Sequence, residues 1–247
     1  MNNELFDNDV SKLHDTSSDG KSRLNPKYRF SSFIIDENNK IAYKVALGVA
    51  KVPLQTNPLY IYSGPGLGKT HLLQAIGNYI VETDPDINVV YTTGNEFTDD
   101  VISAIRSGVQ SKISSMRDYY RSADVLIVDD INTFMQLEAT REEFFNIFQS
   151  MLLEDKQLIV SADKAPKDLS CDEWLYKSRI NMGLIVKIDP PLYSAKRKVI
   201  ETYAQHMGYQ MDEMLLDYLA HETEPDYRDM EAACIRCKGY SLSKQIQ

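Results

Sequence analysis

The sequence predicts an α/β fold in which a five-stranded parallel sheet carries helices on both faces and is followed by a small helical lid. Two observations support this prediction. Short, almost wholly apolar runs alternate with helical stretches, and such runs are typical of parallel strands buried on both faces. After Pro190-Pro191 the strand signals stop and only helical patterns remain. The strand candidates are residues 59–62, 89–92, 125–128, 158–161 and 184–188.

These patterns divide the chain into three parts. Residues 1–24 are polar and acidic and lack any sustained period of 2 or 3.6, so they are predicted to form a disordered tail. The α/β domain is predicted over residues 25–189, and the lid over residues 190–247. The lid is predicted to contain helices near residues 193–207, 211–222 and 225–240. On the second of these, one apolar stripe is predicted from Met211, Met214, Leu215, Tyr218 and Leu219.

Composition excludes several classes of protein. The 247 residues are 43% hydrophobic, which is enough for a sizeable core. They contain 27 Lys and Arg against 36 Asp and Glu, and the net charge of -9 argues against a protein that mainly coats duplex nucleic acid. The three cysteines, with no long apolar run and no basic-then-apolar leader, predict a reducing compartment, a cytoplasmic location and no membrane span.

A glycine-rich turn follows the first predicted strand. It contains Gly64, Gly66 and Gly68 and ends in Lys69-Thr70, where a helix is predicted to begin. Glycines allow successive backbone N–H groups to converge on phosphate oxygens, and the helix directs its positive end at the same charge. Lys69 is then expected to reach the β- and γ-phosphates of a nucleotide, and Thr70 to offer its hydroxyl to Mg²⁺. Ser63 stands where the usual pattern has its first glycine, and the alternative is an ordinary surface turn.

Two carboxylates follow the third predicted strand. Asp129 and Asp130 come directly after residues 125–128, about sixty residues beyond the glycine-rich turn. The carboxyl ends of parallel strands lie at one edge of a sheet, so both carboxylates are expected beside the phosphates. Asp129 is predicted to act as an indirect partner of Mg²⁺, and Asp130 to orient or deprotonate the attacking water. The alternative is two solvated carboxylates that cap a strand.

From Leu24 onward the chain resembles the nucleotide-binding domain of the DnaA family, the bacterial chromosomal replication initiators, which are AAA+ ATPases. The resemblance rests on several motifs together, which are more specific than a glycine-rich turn alone. They are Asn25-Pro26-Lys27-Tyr28, Asn57-Pro58-Leu59, Gly66-Leu67-Gly68-Lys69-Thr70-His71, Ala75-Ile76-Gly77-Asn78-Tyr79, Glu142-Glu143-Phe144-Phe145 and Ser178-Arg179.

The resemblance implies a slow, switch-type ATPase that binds ATP or ADP with Mg²⁺. Asp163 would sense the γ-phosphate, Arg179 would complete the site of a neighbouring subunit as an arginine finger, and Arg228 in the lid would be a second sensor. Asp130 is one methylene shorter than the Glu common in AAA+ motors, which favours slow turnover. The nucleotide-binding residues implied are Ile35, Gly64, Gly66, Leu67, Gly68, Lys69, Thr70 and His71.

The resemblance also implies partners. A helical insertion, residues 97–121, would face the centre of an ATP-built assembly and bind single-stranded DNA through its cations, although each could equally be a solvated surface charge. These cations are Arg106, Lys112, Arg117 and Arg121. Self-assembly would run through Arg179. The replicative helicase is a possible further partner, and Asn3-Glu4-Leu5-Phe6 faintly resembles peptides that dock on the sliding clamp.

Three departures from the family pattern limit what the resemblance implies, and an alternative function is supported by Ser63, by the missing arginine at Leu175 and by the acidic tail. Asp36 replaces a glycine that is usual near the adenine-binding strip, and Leu175 replaces an arginine upstream of Arg179. The chain ends at Gln247, where the lid should finish, so it is expected to be either an excised core or a short paralogue without the duplex-binding domain. The alternative function is a nucleotide-gated DnaA-like regulator or a helicase-loader-type scaffold that hydrolyses little ATP.

Overall fold

The computed structural model describes residues 23–169 and 178–244. The first 22 residues, which include the peptide Asn3-Glu4-Leu5-Phe6, lie outside the described part of the chain, as does Leu175. Contacts with the core begin slightly before the predicted boundary at residue 25. The guanidinium of Arg23 lies 3.5 Å from the carboxylate of Glu96, and Leu24 packs against the helix that contains Gly77.

The core of the fold is a five-stranded parallel sheet, which confirms the predicted fold class. Strand β1 lies in its interior, with Leu59 opposite Ile159 on one side and Leu184 on the other. The order of the strands is β2-β3-β4-β1-β5. Their bounds are Leu59–Tyr62 for β1, Val89–Thr93 for β2, Val125–Asp129 for β3, Gln157–Ala162 for β4 and Leu184–Lys187 for β5.

Helices cover both faces of the sheet because successive side chains of a strand point to opposite sides. In β3, Ile127 belongs to one hydrophobic cluster, while Leu126 and Val128 belong to the other. The first cluster includes α1 and α2, and the second includes α3, α4 and α5. These helices span Lys40–Lys51 (α1), Lys69–Thr83 (α2), Gly94–Arg106 (α3), Gln110–Arg121 (α4) and Glu138–Leu153 (α5).

The strand order determines where the polar residues meet. Because β4 lies between β1 and β3 and all three run in the same direction, their carboxyl ends share one edge of the sheet. The glycine-rich turn leaves β1 at this edge, Asp129 ends β3, and Asp163 follows β4. Residues distant in sequence are thereby brought together at the end of a buried, rigid sheet.

The lid contains the three predicted helices. The predicted apolar stripe on the second is confirmed for Met211, Leu215 and Leu219, which belong to or pack against the first hydrophobic cluster, and is wrong for Met214 and Tyr218. Helix α7 buries Leu216, Leu219 and Ala220, whereas Met214 is 82% and Tyr218 is 60% exposed. This helix has apolar residues on two faces, and its packing against α6 and α8 selects one of them. The lid helices span Tyr193–His206 (α6), Glu213–Glu222 (α7) and Tyr227–Lys244 (α8). Among the described residues, no helix is both long and apolar enough to cross a membrane.

We expect the aromatic cluster beneath α5 to be a main source of stability. Phe144 is fully buried and contacts the rings of Phe97 and Phe134. The substitution Phe144→Ala should lower the free energy of unfolding by about 3–5 kcal/mol, because it removes buried apolar surface and leaves a cavity. Urea denaturation followed by circular dichroism would measure the change. Leu153→Ala in the same helix is the control, because Leu153 is 77% exposed and its loss should change stability little.

Candidate functional site

The turn after β1 uses glycine where the backbone requires it. Gly66 and Gly68 have φ angles of 69° and 94°, in the left-handed region that favours glycine. A Cβ on Gly66 would come within 1.9 Å of the carboxylate of Asp226 in the lid. A Cβ on Gly68 would lie 3.0 Å from the ring of Phe33. The turn therefore depends on glycine for its own path and for the close approach of its neighbours.

Helix α2 begins directly after this turn. Its N-cap is Gly68, which has no side chain with which to cap the N–H groups of the first turn. Uncapped N–H groups at the positive end of a helix of 15 residues form a favourable environment for an anion. The turn and the helix together can bind phosphate through the backbone.

Lys69 occupies the centre of the site. It is only 8% exposed, and its Nζ donates to the carbonyl oxygens of Ser63 and Gly64 at 2.9 and 3.0 Å. The same Nζ lies 2.7 Å from Oδ1 of Asp163, at the end of β4. Three oxygen partners explain how a buried ammonium group is tolerated. Its cation is therefore fixed at the mouth of the glycine-rich turn.

The two carboxylates after β3 have different environments. Asp129 is buried, and its carboxylate accepts hydrogen bonds from the hydroxyl groups of Ser161 and of Tyr91, the latter at 3.1 Å. Asp130 adopts a left-handed conformation with φ 65° and ψ 57°, and its N–H donates to Ser161 Oγ at 2.8 Å. Ser161 thus fixes both residues, and the turn at Asp130 directs the second carboxyl group to a different position from the first.

Asp130 is the perturbed acid of the site. Burial raises its pKa, and the nearby charges of Asp163 and Asp129 raise it further, while Lys69 acts in the opposite direction. Its Oδ1 is buried and has no hydrogen-bond partner among the described residues. A carboxylate with a raised pKa is a better proton acceptor than an ordinary aspartate. This environment suits a group that orients or deprotonates water.

Asn132 holds Asp163 in place. Its side-chain oxygen accepts from the N–H of Asp163 at 2.9 Å, and its amide nitrogen donates to Oδ2 of Asp163 at 3.3 Å. Asp163 therefore directs one oxygen to Asn132 and the other to Lys69. This geometry links the loop after β3 to the end of β4.

Two adjoining cavities lie above these residues. The first has a volume of about 370 Å³, and it is bounded by the glycine-rich turn, the acidic residues and the lid. The second has a volume of about 240 Å³ and is more apolar, with Phe33 and Ile34 in its wall. A phosphate chain fits the chemistry of the first cavity, and a flat base fits that of the second, so we call them the phosphate-side cavity and the base-side cavity. Both cavities are lined by Tyr28, Gly68, His71, Tyr203, Tyr227 and Glu231.

His71 is held at the boundary between the cavities. Its Nε2 lies 2.9 Å from the carbonyl oxygen of Arg29, which can only accept, so this nitrogen carries the proton. Its ring contacts the rings of Tyr28 and Phe33, with centroids 5.1 and 5.2 Å away. Burial lowers the pKa of His71, which favours the neutral imidazole. His71 therefore contributes shape and packing.

Most of the predicted nucleotide-binding residues come together around the first cavity. Its lining includes Gly66, Gly68, Lys69, Thr70, His71, Asp129, Asp130, Asp163 and Arg228. Gly64 contributes the carbonyl that holds Lys69, and Leu67 is buried in the hydrophobic core. Ile35 is 39% exposed, and its neighbour Ile34 lines the second cavity. Arg179 lies in the helical segment 178–180 and is not part of the described lining of either cavity.

The predicted DNA-binding cations have unequal surroundings. Arg106 and Lys112 are exposed at the end of α3 and the start of α4. The guanidinium of Arg117 instead donates two hydrogen bonds to the carboxylate of Glu143 in α5, at 2.7 and 2.5 Å. Arg121 is partly buried, and its carbonyl accepts from Lys156 at 2.5 Å. Arg106 and Lys112 are thus the cations best exposed to a DNA strand.

Several residues of the site were missed by the sequence analysis. Ser161 and Asn132 position the acidic groups, and a polar residue inside the fourth apolar strand was a usable signal for Ser161. Tyr203 and Tyr227 come from the lid, and no local pattern indicates that they face the cavity. Their position depends on how the lid docks on the sheet.

The acidic edge is suited to Mg²⁺. Magnesium binds through one or two carboxylates together with phosphates and water, rather than in a cage of protein ligands alone. The residues that would hold it are Thr70 and Asp129, which line the first cavity. The buried Oδ1 of Asp130 has no hydrogen-bond partner among the described residues, which leaves it free to accept from a nearby water molecule. The described residues hold no cluster of three or more His, Cys, Asp or Glu side chains able to bind a metal ion. This donor set fits a cation shared with a nucleotide.

The fold and the site define a P-loop nucleotide-binding protein of the AAA+ class, with a core α/β domain and a helical lid. The particular family follows from comparison with known proteins. The family model described as the bacterial DnaA ATPase domain matches residues 24–187, so the chain belongs to this family. Chromosomal replication initiator proteins DnaA from Chloroflexus aurantiacus and Chloroflexus aggregans are each 39% identical to the chain. For C. aurantiacus the match covers 219 residues, 88% of this chain and 45% of the relative.

Solved structures agree with this assignment. Domain III of the Thermotoga maritima DnaA protein superposes with a TM-score of 0.83 and 33% identity, over 91% of this chain and 92% of that one. AMPPCP-bound DnaA from Aquifex aeolicus superposes with a TM-score of 0.80 and 31% identity, over 88% of this chain and 66% of that one. A replication initiator DnaA bound to AMPPCP and single-stranded DNA superposes with a TM-score of 0.81 and 30% identity, over 91% of this chain and 70% of that one. The chain spans less than half the length of the curated relatives it matches.

The raised pKa of Asp130 predicts a pH-dependent effect on stability. Below the pKa that the Asp130 carboxyl group has in the unfolded chain, its contribution to stability is fully present, because the group is protonated in both states. This contribution is lost as the pH rises through the higher pKa that the group has in the folded chain. Asp130→Asn should therefore raise the melting temperature at neutral pH, because it removes the unfavourable charge and Asn tolerates a left-handed backbone. This gain should shrink as the pH falls through the folded pKa of the carboxyl group.

Thermal unfolding across a pH series would measure the effect. Asp118→Asn on the exposed side of α4 is the matched control and should change the melting temperature little at any pH. A loss of stability in Asp130→Asn at neutral pH would contradict the prediction.

Proposed function

We propose that the chain binds ATP and ADP with Mg²⁺, hydrolyses ATP slowly as a switch, and acts in the initiation of bacterial DNA replication. The single observation that carries this proposal is the convergence of one lysine, three carboxylates and a lid arginine on one cavity. These residues are Lys69, Asp129, Asp130, Asp163 and Arg228. Membership of the DnaA ATPase-domain family supports the same function over the alternative regulator or loader scaffold.

Each residue has a proposed role that follows from its chemistry. The backbone N–H groups of the glycine-rich turn and Lys69 bind the β- and γ-phosphates, and Thr70 with Asp129 holds the cation. Asp130 orients the attacking water, and its raised pKa supports that role. Asp163 senses the γ-phosphate because its partner is Lys69. Arg228 approaches the same phosphate from the lid.

Assembly in the ATP form is the next part of the proposal. Arg179 lies outside the cavity lining of its own chain, which is consistent with a finger that acts in a neighbouring subunit. An arginine supplied in trans can accelerate phosphoryl transfer by roughly 10³ to 10⁵-fold. Hydrolysis by the isolated chain would therefore be slow, and assembly would accelerate it.

Single-stranded DNA is the proposed partner of the assembled form. The related DnaA structure bound to AMPPCP and single-stranded DNA supports this partner. The exposed positions of Arg106 and Lys112 supply the matching charge. Docking on the replicative helicase or the sliding clamp, and action in the cytoplasm, belong to the same proposal.

The first experiment separates nucleotide binding from hydrolysis. Lys69→Ala should weaken ATP binding at least tenfold, because it removes the buried cation beside the phosphates. Asp130→Asn should keep ATP binding and lower the hydrolysis rate by about 10² or more, because the proton acceptor is lost. Isothermal titration calorimetry and a phosphate-release assay would measure the two quantities.

Lys44→Ala on the exposed face of α1 is the matched control and should leave both quantities unchanged. The site assignment is wrong if Lys69→Ala binds ATP like the parent chain, or if Asp130→Asn hydrolyses ATP at the parent rate.

The second experiment tests DNA binding. With ATP, the chain should bind a labelled single-stranded oligonucleotide, and with ADP the affinity should fall at least tenfold. The double variant Arg106→Ala, Lys112→Ala should bind the oligonucleotide more weakly, and its affinity should depend less on salt concentration. With each phosphate contact that is lost, fewer counterions are released on binding. Arg179→Ala should lose the difference between ATP and ADP, because it cannot assemble. Fluorescence anisotropy at several salt concentrations would measure these effects.

Lys44→Ala, Lys51→Ala is the control that removes the same charge from α1. Equal binding with ATP and ADP in the parent chain, or an equal loss in this control, would remove the helical insertion from the mechanism.

A further inference from the structure

Tyr227, at the start of lid helix α8, contacts the core with both its backbone and its side chain. Its N–H donates to the carbonyl oxygen of Gly66 in the glycine-rich turn at 3.1 Å. Its hydroxyl donates to Oδ2 of Asp36 and accepts from Nδ2 of Asn39, the latter at 3.0 Å. The next residue is Arg228, which lines the phosphate-side cavity. One lid residue therefore spans the distance from the glycine-rich turn to the segment that precedes α1.

Asp36 is held in place by its own segment. Its Oδ1 accepts from the N–H groups of Asn38 and Asn39 at 2.7 and 3.0 Å, and its N–H donates to Oδ1 of Asn39 at 2.9 Å. Asn39 also donates to the carbonyl oxygen of Ile34, at 2.9 Å, in the wall of the base-side cavity. The carboxylate therefore presents its second oxygen to the lid without needing to reorient.

These groups are almost fully buried. Asp36 is 7%, Asn39 is 0% and Tyr227 is 9% exposed. A buried carboxylate that loses a donor is costly, and a hydrogen bond to a charged acceptor is stronger than a neutral one. The hydrogen bond from the Tyr227 hydroxyl to Asp36 therefore stabilises the docked lid. In an undocked lid, Asp36 would lose this donor.

We propose that Asp36, Asn39 and Tyr227 form a latch that docks the lid on the glycine-rich turn and positions Arg228 toward the phosphates. The latch joins the wall of the base-side cavity to the residue that precedes Arg228, so it couples lid docking to the part of the site that recognises the γ-phosphate. Asp36 and Tyr227 are positioning residues in this account. The effect on nucleotide rests on the proposed function, whereas the docking of the lid does not.

Lid docking can be measured without nucleotide by hydrogen exchange. Tyr227→Phe keeps the ring and removes the hydroxyl, while Asp36→Asn keeps an oxygen for the N–H groups of its own segment and replaces the acceptor that faces Tyr227. Both variants should exchange the amide of residue 227 about tenfold faster or more, because its bond to Gly66 opens when the lid undocks. Amides inside α6 should keep their protection. Tyr218→Phe, on the exposed face of α7, is the matched control and should change nothing.

The action through Arg228 can be measured by the ratio of ATP to ADP affinity. Tyr227→Phe and Asp36→Asn should each lower this ratio several-fold, and the double variant should lower it no further than Tyr227→Phe alone, because that variant has already lost the bond to Asp36. In an Arg228→Ala background, Tyr227→Phe should no longer change the ratio. Calorimetric titration of each variant with both nucleotides gives these values.

The possible results test the latch, its action on Arg228 and the proposed function separately. Unchanged exchange of the amide of residue 227 in both variants would overturn the latch, whether or not nucleotide binds. Faster exchange with an unchanged ATP to ADP ratio would overturn its action on Arg228. Failure of the parent chain to bind ATP would refute the proposed function, and the exchange rates would still decide whether the lid is latched.

Discussion

The parallel register of β1, β4 and β3 is the constraint on which the site depends. These strands are buried on both faces, so a slip of one residue would move each side chain from one close-packed hydrophobic cluster into the other, where its shape does not match the packing. The register therefore fixes where Asp129 and Asp163 lie relative to the turn after β1, and Lys69 reaches Asp163 at 2.7 Å. Ser161 shows how closely fold and site are joined, because it belongs to β4 and yet donates to the carboxylate of Asp129 at the end of β3 and accepts from the backbone N–H of Asp130. The chemistry is built into the end of the sheet rather than into a separate loop.

Charge at this edge is arranged for a ligand rather than for stability. Three carboxylates lie near one buried ammonium group, and the pKa of Asp130 is raised first by burial and then by the charges of Asp163 and Asp129. A sequence optimised for stability alone would replace Asp130 with a neutral residue, since an unpaired buried charge is unfavourable. A nucleotide with its cation would change the balance, because the cation attracts the carboxylates while the phosphates take over Lys69. Surplus negative charge at this edge of the sheet thus favours a ligand that brings a cation with it.

The sequence predicts the α/β core well because its signals are local. Each buried strand is an apolar run, and the glycines with Lys69-Thr70 form a motif whose geometry is set by neighbouring residues. The failures occur where tertiary packing chooses between local alternatives. Helix α7 has apolar side chains on two faces, and only its contact with α6 and α8 decides that Leu216 is buried and Met214 is exposed. Tyr227 and Asp36 are 191 residues apart, so their bond could not be read from spacing.

The departure at Asp36 has a structural explanation that bears on the proposed function. A glycine at this position could supply neither the capping oxygen for the N–H groups that precede α1 nor the acceptor for Tyr227. Asp36 and Tyr227 thus depend on one another, because the carboxylate without the hydroxyl would be buried without a lid donor. The lid of this chain is therefore tied to the base-side wall by a charged acceptor, in addition to the backbone bond at Gly66. On the proposed latch, an aspartate at the position where the resemblance leads us to expect a glycine reinforces lid docking and is compatible with a retained nucleotide site.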